Sequence, residues 1–174
     1  RKVEEAGLQG ISFYHADISQ ISKIKKTYHY IECMGVLHHN EDYLQIWRSL
    51  IKCLKKNGVM RVGLYSRRAR KEIIQFRETL DKNFVGISQD QVIYERQKII
   101  NNNKNFNFTA SIDFFSKSGF RDLILNAYEK QFDLLEIKEI LKKLNLEFLG
   151  IQMKNTAARS EFKKLFPKND DWFI

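Results

Sequence analysis

The stretch "HYIECMGVLHHNEDYLQIWRSLIKCLKKNGVMRVGLYS", residues 29–66, sets two apolar runs on either side of an amphipathic one. The first run, "HYIECMGVL" at 29–37, shows no clean alternation and reads as a strand covered on both faces. Asn40, Glu41 and Asp42 then put polar and acidic groups where the positive end of a helix dipole favours them. In "DYLQIWRSLIKCLKKNG", Leu44, Trp47, Leu50, Ile51 and Leu54 recur at spacings of three and four until Gly58, the pattern of a helix with one buried face. "VMRVGLYS", 59–66, is the next strand. Strand, helix, strand in this length is a crossover, which demands parallel strands and helices packed on the sheet. The expected fold class is α/β.

Working outward, "RKVEEAGLQG" reads as the last turns of a helix closed by Gly7 and Gly10. "GISFYHADI", 10–18, reads as a short buried strand ending at an acidic position. Downstream, "RRARKEIIQFRETL" has helical character, and "ISQDQVIYERQKIINNNKNFNF" carries an asparagine cluster suited to a mobile insertion or lid. "DLILNAYEKQFDLLEIKEILKKLN" resumes the helical period, with Asp133 as the cap of its second helix. "LEFLGIQM", 146–153, reads as another strand, and Phe162, Leu165, Phe166 and Trp172 as the docking face of a final helix. The 174 residues make one domain: core strands and helix in 1–66, a helical insertion or acceptor-side region in 67–132, and a helix-strand-helix close in 133–174.

The formal charge is +9. Lysine and arginine pairs at 25–26, 55–56, 67–68, 142–143 and 163–164 are scattered over separate turns and helix faces, which reads as solvated surface. A basic nucleic-acid-binding module stays as the alternative function. No apolar run approaches the roughly 18 residues that span a bilayer. Cys33 and Cys53 lie in segments that read as buried, which suits a reducing, cytoplasmic setting. The chain opens on Arg1 with no leader, and we expect it to be part of a longer polypeptide.

Ligands of open α/β sheets lie outside the carboxyl ends of the strands. Three such ends stand out here: Asp17, the segment from Cys33 to His39, and Tyr65–Ser66. His38 and His39 follow a glycine that lets main chain approach a ligand, and an imidazole titrates near neutrality. Either ring can face a substrate or brace the loop, and His39 is the better placed for contact. Metal binding by His38, His39 and Cys33 is set aside, since adjacent histidines diverge from an extended backbone and no CxxC or HExxH accompanies them.

Together, "HADI", "GVLHH", the helix "DYLQIWRSLIKCLKKNG", "VMRVGLYS" and the later "FRDLILNAYEKQFDLLEIKEILKKLNLEFLGIQM" resemble a Rossmann-like class I S-adenosylmethionine-dependent methyltransferase, of a type often fused to tetratricopeptide repeats. The resemblance implies that Asp17 accepts from the adenine amino group with Ile18 against the ring. It implies that Cys33, Met34 and Gly35 line the methionine side and that Val36 and Leu37 pack beneath. His39, His38 and Tyr65 become the candidate catalytic residues, and Glu129 in "NAYEKQF" matches a glutamate of the related domains. The cofactor implied is S-adenosylmethionine, with an unspecified methyl acceptor and tetratricopeptide repeats possible in the same full-length chain. The eight glycines never form the GxGxxG or GxGxG loop of that family. A fragment that binds the cofactor weakly or not at all is therefore expected, with a non-catalytic methyltransferase-like subunit as a further reading.

Overall fold

The computed structural model describes residues 2–79, 88–101, 106–126, 128–152 and 156–167. They fall into two units, Arg1–Leu64 and Tyr65–Ile174, each described by itself.

In the first unit, helix α1 (Lys2–Glu5) closes as Leu8 N–H reaches back to the Val3 carbonyl at 3.1 Å. The crossover at residues 29–66 is present. Strand β1 (Tyr28–Met34), helix α2 (Tyr43–Lys52) and strand β2 (Leu54–Gly63) follow in order, and the two strands pair in parallel. The architecture is α/β, with a two-stranded sheet. Helix α2 buries Ile46, Trp47 and Leu50, the face its three- and four-residue periodicity selects. At its end the Cys53 thiol donates to the Ile21 carbonyl at 3.7 Å, holding the 3-10 turn Ile18–Lys23 against the helix.

Several expectations about the strands and the end of α2 are corrected. Strand β1 is not covered on both faces. Cys33 is buried, whereas Tyr28, Tyr30, Glu32 and Met34 on the alternate face are exposed. Tyrosine and methionine read as core residues, yet both tolerate water on one side, and here they flank a cross-strand ion pair, Arg61–Glu32 at 3.3 Å. Helix α2 ends at Lys52 rather than Gly58, because Leu54 already pairs with Tyr28. The polar residues 55–58 are then looped out through Asn57 at φ 61° before Val59 meets Tyr30. Residues 11–17 form no strand, and Phe13 is 77% exposed. Residues 146–152 form none either. Both segments have strand-like composition but no ladder partner among the described residues, and an unpaired strand has nothing to satisfy its backbone.

The second unit is helical: α3 (Lys71–Glu78), α4 (Gln89–Asn101), α5 (Ile112–Phe115), α6 (Lys117–Ile124), α7 (Leu134–Lys143) and α8 (Thr156–Leu165). The region expected to be an insertion or lid holds its core. Ile73, Val92, Ile99, Phe108, Phe114, Phe120, Leu123 and Ile124 are buried together, with Phe76 and Phe106 against them. The rings meet tilted, edge-on or stacked, from Phe106–Phe108 at 4.9 Å to Phe108–Phe114 at 6.2 Å. Caps set the helix starts. Ser116 accepts from Gly119 N–H at 2.9 Å, and Asp133 caps α7 as expected, accepting from Glu136 N–H at 2.8 Å. Helix α8 has no buried residue; of the expected docking face, Leu165 and Phe166 are exposed, while Phe162 is half-buried and meets the Phe166 ring at 4.9 Å. Trp172 lies outside the described residues, as does Met153.

Candidate functional site

The bend after β1 is built by its own backbone. Gly35 takes φ 71°, a left-handed value that glycine holds without strain. His39 N–H donates to the Val36 carbonyl at 3.1 Å, Asn40 N–H to Leu37 at 3.2 Å, and the Asn40 amide to the Val36 carbonyl at 2.8 Å. Leu37 is fully buried and anchors the 3-10 turn Leu37–His39. The two imidazoles meet edge to face with centroids 4.2 Å apart. Their environments differ, since His38 is only 1% exposed while His39 is half-buried. Space beside Gly35 is open, with no atom within 4 Å of where a Cβ would stand.

The other residues named from the sequence divide in the same way. Cys33 is buried, and burial pushes its thiol up against a smaller opposing pull from the Leu37 backbone. Met34 lies exposed with its thioether over Gly63, and Val36 and Ile18 are half-buried. Asp17 is exposed and caps the turn that follows it, its Oδ1 accepting from Ser19 N–H at 2.8 Å. Hydrogen bonding to Ser19 holds its carboxyl below the usual range.

A cleft of about 240 Å3 is lined by residues that follow the named ones in the chain rather than by those residues themselves: Ser19 and Ser22 from the turn after Asp17, Asn40, Glu41 and Asp42 from the segment after His39, and Gln45, Ile46 and Ser49 on α2. In a chain of net charge +9, this lining offers hydroxyls, amides and two carboxylates. Such a set suits a cationic or neutral hydrogen-bonding ligand better than a phosphate.

Tyr65 and Glu129 belong to the second unit, where a residue the sequence did not single out brings them together. The Arg70 guanidinium lies 3.9 Å from the Tyr65 ring centroid and donates through Nε to Glu129 Oε1 at 2.9 Å and through a second nitrogen to Oε2. Arg77 donates to the same Oε2 at 3.2 Å and to the Ile124 and Leu123 carbonyls at the end of α6, and Gln131 adds 2.8 Å to Oε1. The Glu129 side chain is 0% exposed. Burial, the largest single influence, pushes its carboxyl up, but the Arg70 and Gln131 hydrogen bonds and the two guanidinium charges outweigh it and hold the carboxyl low. Burial likewise raises the Tyr65 phenol. Tyr65 also accepts Phe132 N–H on its carbonyl at 2.9 Å, beside the isolated parallel bridge of Ser66 with Phe132. Glu129 is thus an internal clasp among α3, the end of α6 and the 128–132 segment.

Among the described residues no group of three or more histidine, cysteine, aspartate or glutamate side chains could hold a metal ion. No described helix is long and apolar enough to cross a membrane. No family model matches the chain.

Proposed function

We propose that the chain forms part of a Rossmann-like, S-adenosylmethionine-dependent methyltransferase, with its cofactor face at the acidic cleft beside the Gly35–His39 bend. The observation that carries this reading is the convergence of the turn after Asp17 and the segment after His39 on one cleft, in a unit built on a parallel crossover. S-adenosylmethionine supplies an electrophilic methyl group on a sulfonium and is cationic at that centre. The carboxylates of Glu41 and Asp42 in the lining would favour such a ligand, and Ser19 and Asn40 would pair with its hydroxyls and amines; Asp17, which caps the turn carrying Ser19, would add a third negative charge. The cleft is smaller than the roughly 300–1,000 Å3 typical of complete small-molecule sites, so it would take a portion of the cofactor and bind it weakly. His39, accessible where His38 is not, is the side chain to orient the acceptor or to take its proton.

Equilibrium dialysis with methyl-tritiated S-adenosylmethionine tests this reading. Saturable, weak retention is expected, displaced by S-adenosylhomocysteine and reduced in Asp17→Asn. Retention that does not saturate, or that Asp17→Asn leaves unchanged, would contradict it.

A further inference from the structure

The sheet of the first unit has one open face. Cys33 is buried and Ile31, Met60 and Val62 are half-buried on one side of it. Tyr28, Tyr30 and Glu32 alternate with these, and Val59 and Arg61, the ladder partners of Tyr30 and Glu32, share the open side. Parallel sheets are ordinarily covered on both faces, yet here Tyr28 is 41% and Tyr30 52% exposed. The Tyr30 hydroxyl donates to Glu32 Oε2 at 2.9 Å, so its ring lies along the strand instead of standing off it, and Arg61 pairs with the same carboxylate at 3.3 Å. Two residues apart on one strand, the two tyrosines stand about 7 Å from each other.

Charge around this face is one-sided. Residues 23–34 and 52–63 hold seven lysines and arginines and a single carboxylate, Glu32. The fold gathers lysine pairs that lie 30 residues apart in the sequence. Lys25 and Lys26 stand just before Tyr28, and Lys55 and Lys56 just after Leu54, the residue with which Tyr28 pairs. All four are exposed, and none forms an ion pair with a described residue. Flat aromatic rings ringed by unpaired lysines are the two parts of a single-strand platform, the rings taking bases and the ammonium groups phosphates. We infer that this face binds single-stranded RNA, with adjacent bases on Tyr28 and Tyr30 and the backbone at the four lysines. A duplex keeps its base faces inside its own stack and has none to offer the rings. Glu32 favours ribose over deoxyribose, since a carboxylate repels phosphate but accepts from a 2′-hydroxyl. The inference is independent of cofactor binding.

Fluorescence anisotropy of a labelled ten-nucleotide oligouridylate, titrated with the full chain at several salt concentrations and without S-adenosylmethionine, tests it. Saturable binding is expected, weaker for the deoxy oligomer and for the duplex. Tyr30→Leu should weaken binding about tenfold without changing the salt dependence, and Tyr30→Phe, which keeps the ring, should stay within about twofold of the wild type. Changing Lys55 and Lys56 together to glutamine should flatten the slope of log affinity against log salt by about 1.4, at roughly 0.7 per phosphate contact. Both positions are exposed, and circular dichroism checks that each variant folds. No saturable binding, equal affinity for duplex, deoxy or abasic oligomers, Tyr30→Leu binding as tightly as Tyr30→Phe, or a salt slope untouched by the lysine changes would overturn the inference.

Discussion

At the scale of single residues, burial separates side chains that the sequence presents as equals. His38 and His39 are adjacent, yet His38→Ala should remove about 2 kcal/mol of stability by emptying a packed site, while His39→Ala should leave the melting temperature nearly unchanged and weaken acceptor or cofactor contact. Thermal denaturation of the two variants checks the difference. Glu129 gives the sharper case. Glu129→Gln keeps the shape but leaves Arg70 and Arg77 without their anion, which should cost about 3 kcal/mol in urea unfolding. The folded carboxyl is held below its unfolded value of ~4.3. Its contribution is therefore complete above that unfolded value and is lost as pH falls through the lower folded one. Wild-type stability should fall across this acid window more steeply than that of Glu129→Gln, as melting curves at successive pH values would record. From the sequence Glu129 could be named only by resemblance, because no local pattern announces partners 59 and 52 residues away.

Between elements, close approach sets the tolerances. A Cβ on Gly119 would stand 2.6 Å from the Asp113 carbonyl oxygen and 2.7 Å from its Cα, backbone atoms where α5 meets α6. Gly119→Ala should therefore destabilise the second unit by about 1–3 kcal/mol, measured by urea unfolding. Gly35→Ala meets no atom and carries only the left-handed backbone penalty, about 1–2 kcal/mol. Helix α2 and the parallel strands beside it were legible in the sequence because a helical stripe through Trp47 and Leu50 between apolar runs has few other solutions, although Ile46 is buried with them while Leu44, Ile51 and Leu54 of the expected stripe are half-buried. Residues 11–17 and 146–152 were misread because strand composition says nothing of whether a partner strand stands alongside. The aromatic core escaped notice although "NFNFTASIDFFSKSGF" crowds five phenylalanines into residues 105–120, since short helices capped at Ser111 and Ser116 break any long periodicity.

Across the whole molecule, the net charge of +9 conceals local inversions. The first unit offers an acidic, hydroxyl-lined cleft. Asp17 and the glycine-histidine bend were readable as strand-end features. That Ser19 and Asn40 would line one cleft was not, because it depends on the 3-10 turn Ile18–Lys23 folding onto α2. The measurement that bears most directly on the proposed function is amide NMR of the labelled chain titrated with S-adenosylmethionine. The account predicts saturable shifts confined to residues 17–22 and 35–45, diminished by Asp17→Asn and by Glu41→Gln. Shifts elsewhere with none in those two segments would contradict it.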